Sequence, residues 1–207
     1  FHGSVLIDCA WDARGSGWGH EVTEEGGRLM RERLAESERL LTKAWELAPT
    51  DRLPPTRMLK VELGQGKGRA FMEEWFRRAM EADPDNREAC ESKMYYLEPK
   101  WYGGPEEMLA FGRELLTQGN WEARLPLQLV EAHATLSKYA GDRMKYYRQP
   151  HVWTDIRAVF EEGLRRAPES SFDRSWYALL AWRCGEYAEA RRQFGRPVAE
   201  FQAVQQH

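Results

Sequence analysis

The chain reads as an all-α protein, a right-handed solenoid of stacked helical hairpins. It is expected to form one domain over residues 1–207, with an irregular N-terminal segment at 1–22. Three observations predict this. Three stretches, AWELAPTD at 44–51, AMEADPDN at 79–86 and GLRRAPES at 163–170, share a small residue, a last helical turn and then a proline. Proline lacks an amide hydrogen and drives the residue before it out of the helical region, so each stretch marks a helix end. Apolar residues elsewhere recur at helical spacing and almost nowhere alternate as in a strand. Finally, punctuation repeated along one chain is the mark of a repeat architecture, in which each hairpin buries its apolar face on the next.

Taken in order, Val5, Leu6 and Ile7 suit a short extended segment, and the three glycines among residues 15–19 suit a loop. Thr23 with Glu24 and Glu25 behind it forms an N-cap followed by acids that the helix dipole favours. The helix it opens runs through Leu29, Met30, Leu34, Leu40, Leu41, Ala44 and Trp45 to Ala48. Pro54 and Pro55 start the next, filled by Met58, Leu59, Val61 and Leu63 and broken by Gly64 and Gly66. Its partner, from about Arg69 to Ala82, carries the stripe Met72, Trp75, Phe76, Ala79 and Met80. Asp85 is expected to cap a helix through Cys90, Met94 and Leu97. Pro105 starts one that ends at Gly119, and Pro126 one that closes at Gly141. Residues 142–151 read as a polar, aromatic connection. Trp153, Ile156, Phe160 and Leu164 face inward on a helix ending at Pro168, Trp176, Tyr177, Leu180 and Ala181 on the next, and Ala190 and Phe194 on the last. The count is nine helices.

Composition excludes several functions. The 30 basic and 33 acidic residues give a net charge of −3 and are interspersed, so no single-sign field invites nucleic acid or anionic lipid. No run approaches the ~18 consecutive apolar residues of a membrane span. The start at Phe1, without a Met, reads as a fragment or processed segment, either monomeric or part of a larger chain, with a cytoplasmic address. Cys9, Cys90 and Cys184 are too few and too scattered for a disulfide framework or a zinc site and read as reduced thiols.

The last hairpin, with Gly185, Glu186 and Tyr187 at its turn and Ala190 and Phe194 beyond, has the A-x3-F spacing of a tetratricopeptide repeat, which it resembles. One period of about 34 residues back stands Phe160, with Pro168 where the repeat's terminal proline belongs. Phe76, Ala79 and Pro84, and Leu41, Ala44 and Pro49, repeat those offsets. The strings AWDARGSG at 10–17, VELGQG at 61–66, WFRRAM at 75–80 and LEPKWYGG at 97–104 are similar to an uncharacterised bacterial family of tetratricopeptide-like proteins. That resemblance implies a helical-repeat fold and a further N-terminal helical segment upstream. It brings no established activity and no catalytic residue.

Motifs for chemistry fail on inspection. The string HEVTE at 20–24 has Glu24 where a zinc-protease helix needs its second histidine. The five histidines have no ligand spacing, so neither metal nor other cofactor is expected. GQGKG at 64–68 lacks the Ser or Thr of a phosphate loop and follows a helix rather than a strand, so it reads as an interhelical turn. Ser16 lacks a nucleophile elbow.

Two irregular places stand out. Asp12 and Arg14 between Trp11 and Trp18 form either a ligand surface, with Arg14 as a fork-shaped anion donor, or an anchor that pins the segment to the first helices. Trp101 and Tyr102, between Pro99 and Pro105 and preceded by Tyr95, suit peptide contacts, while packing of Trp101 into a shortened hairpin explains them equally. In such repeats the first helix of each hairpin lines a concave groove, which by register takes Lys60, Glu91, Tyr95 and Trp182, with His133 placed more loosely. The expectation is a noncatalytic scaffold for a protein or peptide partner. The alternatives are a hydrolase or transferase around Asp12, Arg14 and His20, or a structural module of a larger protein.

Overall fold

A computed structural model describes residues 2–17 and 19–195. Among them are eleven α-helices and no strand: α1 His2–Arg14, α2 Glu24–Leu47, α3 Leu53–Gln65, α4 Arg69–Ala82, α5 Arg87–Tyr96, α6 Pro105–Gln118, α7 Gln128–Tyr139, α8 Arg143–Tyr147, α9 Pro150–Arg166, α10 Ser171–Cys184 and α11 Tyr187–Phe194. Single 3₁₀ turns stand at Gly19–Glu21 and Leu125–Leu127. The chain divides after Met108 into two compact units.

The three proline-ended stretches fold identically. The amides of Ala48, Asp83 and Ala167 donate to the carbonyls of Ala44, Ala79 and Gly163, at 3.0, 3.1 and 2.9 Å. Each capping residue leaves the helical region, as a following proline demands, and its own carbonyl accepts from the residue three further on, Asp51, Asn86 or Ser170. Thr23 caps α2 as expected, accepting from the Gly26 amide at 3.0 Å. The cap of α5 is Asn86 rather than Asp85, because the Asn86 side chain accepts from the Ala89 amide while donating to Thr56 of α3 at 2.7 Å.

Two expectations are corrected. The segment expected to be irregular, 1–22, contains the helix α1 over His2–Arg14, so Val5, Leu6 and Ile7 lie in a helix and not in an extended piece. Gly3, Ile7 and Ala10 form a buried face at helical spacing, packed on Met30, Leu34, Ser37 and Leu41 of α2. Ser37 Oγ donates to the Gly3 carbonyl at 2.8 Å and Arg33 to that of Cys9 at 2.6 Å, so α2 satisfies the helix it covers. Burial of Ile7 against α2 overrides its β-branched preference. The connection at 142–151 likewise contains α8, capped by Asp142, which accepts from the amides of Met144 and Lys145.

In the first unit α1 packs on α2, α2 on α3, and α3 on both α4 and α5. The approach of α2 to α3 requires Gly64, where a Cβ would fall 2.5 Å from Leu34 Cδ1 and 2.7 Å from Met30 Cε. In the second unit α9 packs on α7 and α10, α10 on α11, and α8 touches α7, α9 and α10. Its aromatic core stacks Tyr177 between Phe160 and Trp153, with ring centroids 5.1 and 5.8 Å away.

Candidate functional site

The first unit gathers the expected aromatic residues around Trp101. The last turn of α5 supplies Tyr95 and Tyr96, the loop to α6 supplies Trp101 and Tyr102, and α1 supplies Trp11. Trp11 meets Trp101 edge-on, centroids 5.8 Å apart, and Tyr95 lies 5.9 Å from Trp101 on another side. Tyr102 packs 4.7 Å from Tyr96 and donates its hydroxyl to the Leu63 carbonyl at 3.1 Å, over Gly66, whose φ of 65° ends α3. Trp11 and Trp101 are half-buried packing residues. Tyr95 and Tyr102 keep 40% and 45% of their surface and form the open edge. Lys100 sits over the Tyr95 ring at 4.3 Å and pairs with Glu98 at 3.1 Å, giving that edge a held cation.

The remaining candidates of this unit are dispersed. Arg14 does not pair with Asp12: its guanidinium donates to the carbonyls of Gly15 and Gly17, 3.2 and 2.9 Å away, and lies 5.8 Å from the Trp11 ring. Asp12 and His20 are both exposed and share no hydrogen bond, so the acid and base of a reaction are not assembled there. Trp18 lies outside the described residues. Lys60 bridges α3 to α1 through Asp8 at 3.1 Å, and Glu91 pairs with Arg87 one helical turn away on α5.

The GQGKG turn has an anion of its own. Glu62, wholly buried on α3, turns back so that Oε1 accepts from the Gly68 amide at 2.7 Å, while Lys67 pairs with Glu38. Burial pushes the Glu62 carboxyl above its ordinary value, and the backbone amides of Gly68 and Lys67 only partly offset it. The loop that resembles a phosphate cradle thus turns its amides onto the chain's own carboxylate.

The second unit holds a polar cluster that sequence reasoning missed except for His133. His133 of α7 is wholly buried, so it does not line an open groove. Its Nδ1 lies 2.9 Å from the Tyr146 hydroxyl of α8 and its Nε2 3.0 Å from Asp155 Oδ2 of α9. Arg113 of α6 closes the group, with Nε 3.1 Å from both Asp155 oxygens and Nη2 2.7 Å from Oδ2. The consistent proton assignment has Nε2–H donating to Asp155 and Tyr146 donating to Nδ1. Burial pushes the Asp155 carboxyl upward, but hydrogen bonds from His133 and Arg113 and the charge of Arg113 outweigh it and hold the group below its ordinary value. Burial raises the Tyr146 phenol well above its usual range and lowers His151, whose ring stands 6.1 Å from His133. A carboxylate, an imidazole and a hydroxyl in line resemble a catalytic relay, but here the imidazole is sealed from solvent and the line ties three helices together.

A second ion pair was equally unforeseen. Arg124, the only non-glycine residue with positive φ (58°) among those described, reaches Asp173 at 2.6 Å, while Asp173 also accepts from the Ser170 hydroxyl. Asp173 is buried, so a strained backbone serves a satisfied charge. Trp182, expected to line the concave groove, is 51% exposed on α10. It shares one side of that helix with Phe172 and Leu179, 68% and 41% exposed.

The one sequence signal for the buried carboxylates was a charge on an apolar face. Asp155 falls among Val152, Ile156 and Val159, and Glu62 between Val61 and Leu63, where a solvated acid has no place. Among the described residues no group of three or more His, Cys, Asp or Glu side chains is placed to hold a metal ion. No helix of those residues is long and apolar enough to cross a membrane. No protein-family model matches the chain, and neither a curated protein nor a solved structure matches it.

Proposed function

We propose that this chain is a noncatalytic protein- or peptide-binding scaffold, built as a right-handed solenoid of degenerate tetratricopeptide-like hairpins. The three identical proline turns and the helix–turn–helix order support the repeat reading. One observation carries the binding role: α10 leaves Phe172, Leu179 and Trp182 open on one side, at a spacing of seven and then three residues, which matches the anchor rows that a helix offers to a partner. Large apolar side chains so exposed stabilise nothing in the free chain, whereas aromatic anchors dominate the energetics of protein association. In the first unit Tyr95 and Tyr102 form a second, smaller edge. Three free cysteines, of which Cys90 and Cys184 are buried, suit a reducing compartment such as the cytoplasm.

Affinity capture with the intact chain, Trp182→Ala and Tyr95→Ala, followed by a direct binding measurement on each recovered partner, tests the role. A partner that loses about tenfold or more with Trp182→Ala supports it, since a buried tryptophan anchor is worth about 2 kcal/mol. A partner that binds wild type and both variants alike removes the assignment.

A further inference from the structure

Between α9, α10 and α11 lies a cleft of about 350 Å³ with three arginines on its wall: Arg165 from the last turn of α9, Arg174 from the first turn of α10 and Arg192 from α11. Two of them bring a carboxylate along. Arg165 forks onto Glu162 at 2.7 and 2.6 Å, and Arg192 onto Glu189 at 2.9 and 2.8 Å. Arg174 does not: its bonds go to the Pro168 carbonyl and, at 3.5 Å, to Gln193 Oε1, both neutral. The cleft's own acid, Glu161, is taken by Arg157 at 2.8 Å, and Glu162 is shared with Arg166. Of the three guanidinium groups on the cleft wall, Arg165 and Arg192 are therefore paired with carboxylates, and Arg174 alone has no anionic partner among the described residues.

Tyr177 lies beneath them. It is 1% exposed, lines the same cleft, and its hydroxyl is buried without a hydrogen-bond partner. A buried hydroxyl left without an acceptor is destabilising, and an anion in the cleft would supply that acceptor. Of the flanking arginines, Arg165 is itself largely exposed, so its ion pair lets it swing aside at little cost, while Arg192 is held by the more buried Glu189.

We infer that this cleft is a binding site for a phosphate monoester, with Arg174 as the principal donor, Arg165 and Arg192 flanking it and the Tyr177 hydroxyl donating from below. A phosphoryl group suits one unpaired guanidinium flanked by two more, and its three terminal oxygens exceed what one carboxylate offers to donors on three helices. Burial holds the Tyr177 phenol above its ordinary range, so it remains a donor beside such an anion. The ester is either a free small molecule or a phosphorylated side chain of a protein; the chemistry is the same.

The test titrates the whole chain with inorganic phosphate and with a short phosphoserine peptide, following backbone amide shifts by NMR. Both probes are expected to move amides in the last turn of α9, the first turns of α10 and in α11 at millimolar concentration. Arg174→Gln weakens them by about tenfold, as loss of a charge-assisted donor requires, and the isosteric Tyr177→Phe by about threefold. Arg39→Gln on α2 leaves them unchanged. A peptide that binds about tenfold tighter than inorganic phosphate assigns the site to phosphoproteins, and equal binding assigns it to free esters. No shift with either probe, or undiminished binding by folded Arg174→Gln, overturns the site.

Discussion

Glu62 in the first unit and Asp155 in the second are both buried carboxylates on helices whose neighbours are apolar, and they respond to burial in opposite directions. Desolvation raises each. At Glu62 the compensation comes mainly from backbone amides, with the Lys67 charge helping and Glu38 opposing, and the carboxyl stays above its ordinary value. At Asp155 it is a guanidinium fork and an imidazole, and the carboxyl falls below. Burial sets the cost, and the charge of the partner decides the sign. The first unit therefore carries a carboxylate whose ionised form burial disfavours, the second one whose ionised form its partners favour.

The largest effect expected from this contrast is at Asp155. Asp155→Ala strands the His133 Nε2–H in the core and removes the partner of Arg113. A loss of about 3 kcal/mol is predicted in urea unfolding, since breaking a buried charged network costs more than the network contributes. A change under about 1 kcal/mol would mean that solvent already reaches the cluster.

The two acids also predict opposite pH slopes. A lowered folded value means that the Asp155 contribution is fully present above its unfolded value near 3.8 and disappears as pH falls through the folded one. A raised folded value means that the Glu62 contribution is present below 4.5 and disappears as pH rises through the folded one. Unfolding midpoints from acid to neutral pH should therefore show Asp155→Asn removing the acid limb, and Glu62→Gln removing the decline above it. Matching slopes in the two variants would dissolve the comparison.

Tyr146→Phe sharpens it. The change takes one hydroxyl from His133 Nδ1 and leaves the Asp155 bonds intact, so about 1 kcal/mol is expected. A loss as large as that of Asp155→Ala would place the weight of the cluster on the phenol instead of the charge.

What the sequence made legible was local. The turns at Pro49, Pro84 and Pro168, the Thr23 cap and the helix order follow from residues a few positions apart, and each stands where those residues require. Helix α1 was not legible, because β-branched Val5 and Ile7 suggest a strand, while the face that packs the segment as a helix, Gly3, Ile7 and Ala10, is defined only by burial against α2. Nor was the partnership of Arg113, His133, Tyr146 and Asp155, drawn from four helices with no motif between them. Of the named candidates, Tyr95, Tyr102 and Trp182 were legible as exposed aromatics, while Trp11 and Trp101 turned inward because indoles bury more surface than an open loop leaves uncovered.

The smallest effect is the most discriminating. Glu62→Gln keeps a carbonyl oxygen for the Gly68 amide and removes the charge that burial penalises, so stability at neutral pH should hold or rise by up to about 1 kcal/mol. Glu62→Ala has no acceptor to offer, and the stranded amide should cost about 1–2 kcal/mol. Paired urea titrations of the two separate the roles of charge and acceptor. If Glu62→Gln falls as far as Glu62→Ala, the GQGKG turn needs an anion rather than an acceptor, and the first unit would then resemble the second in depending on charge.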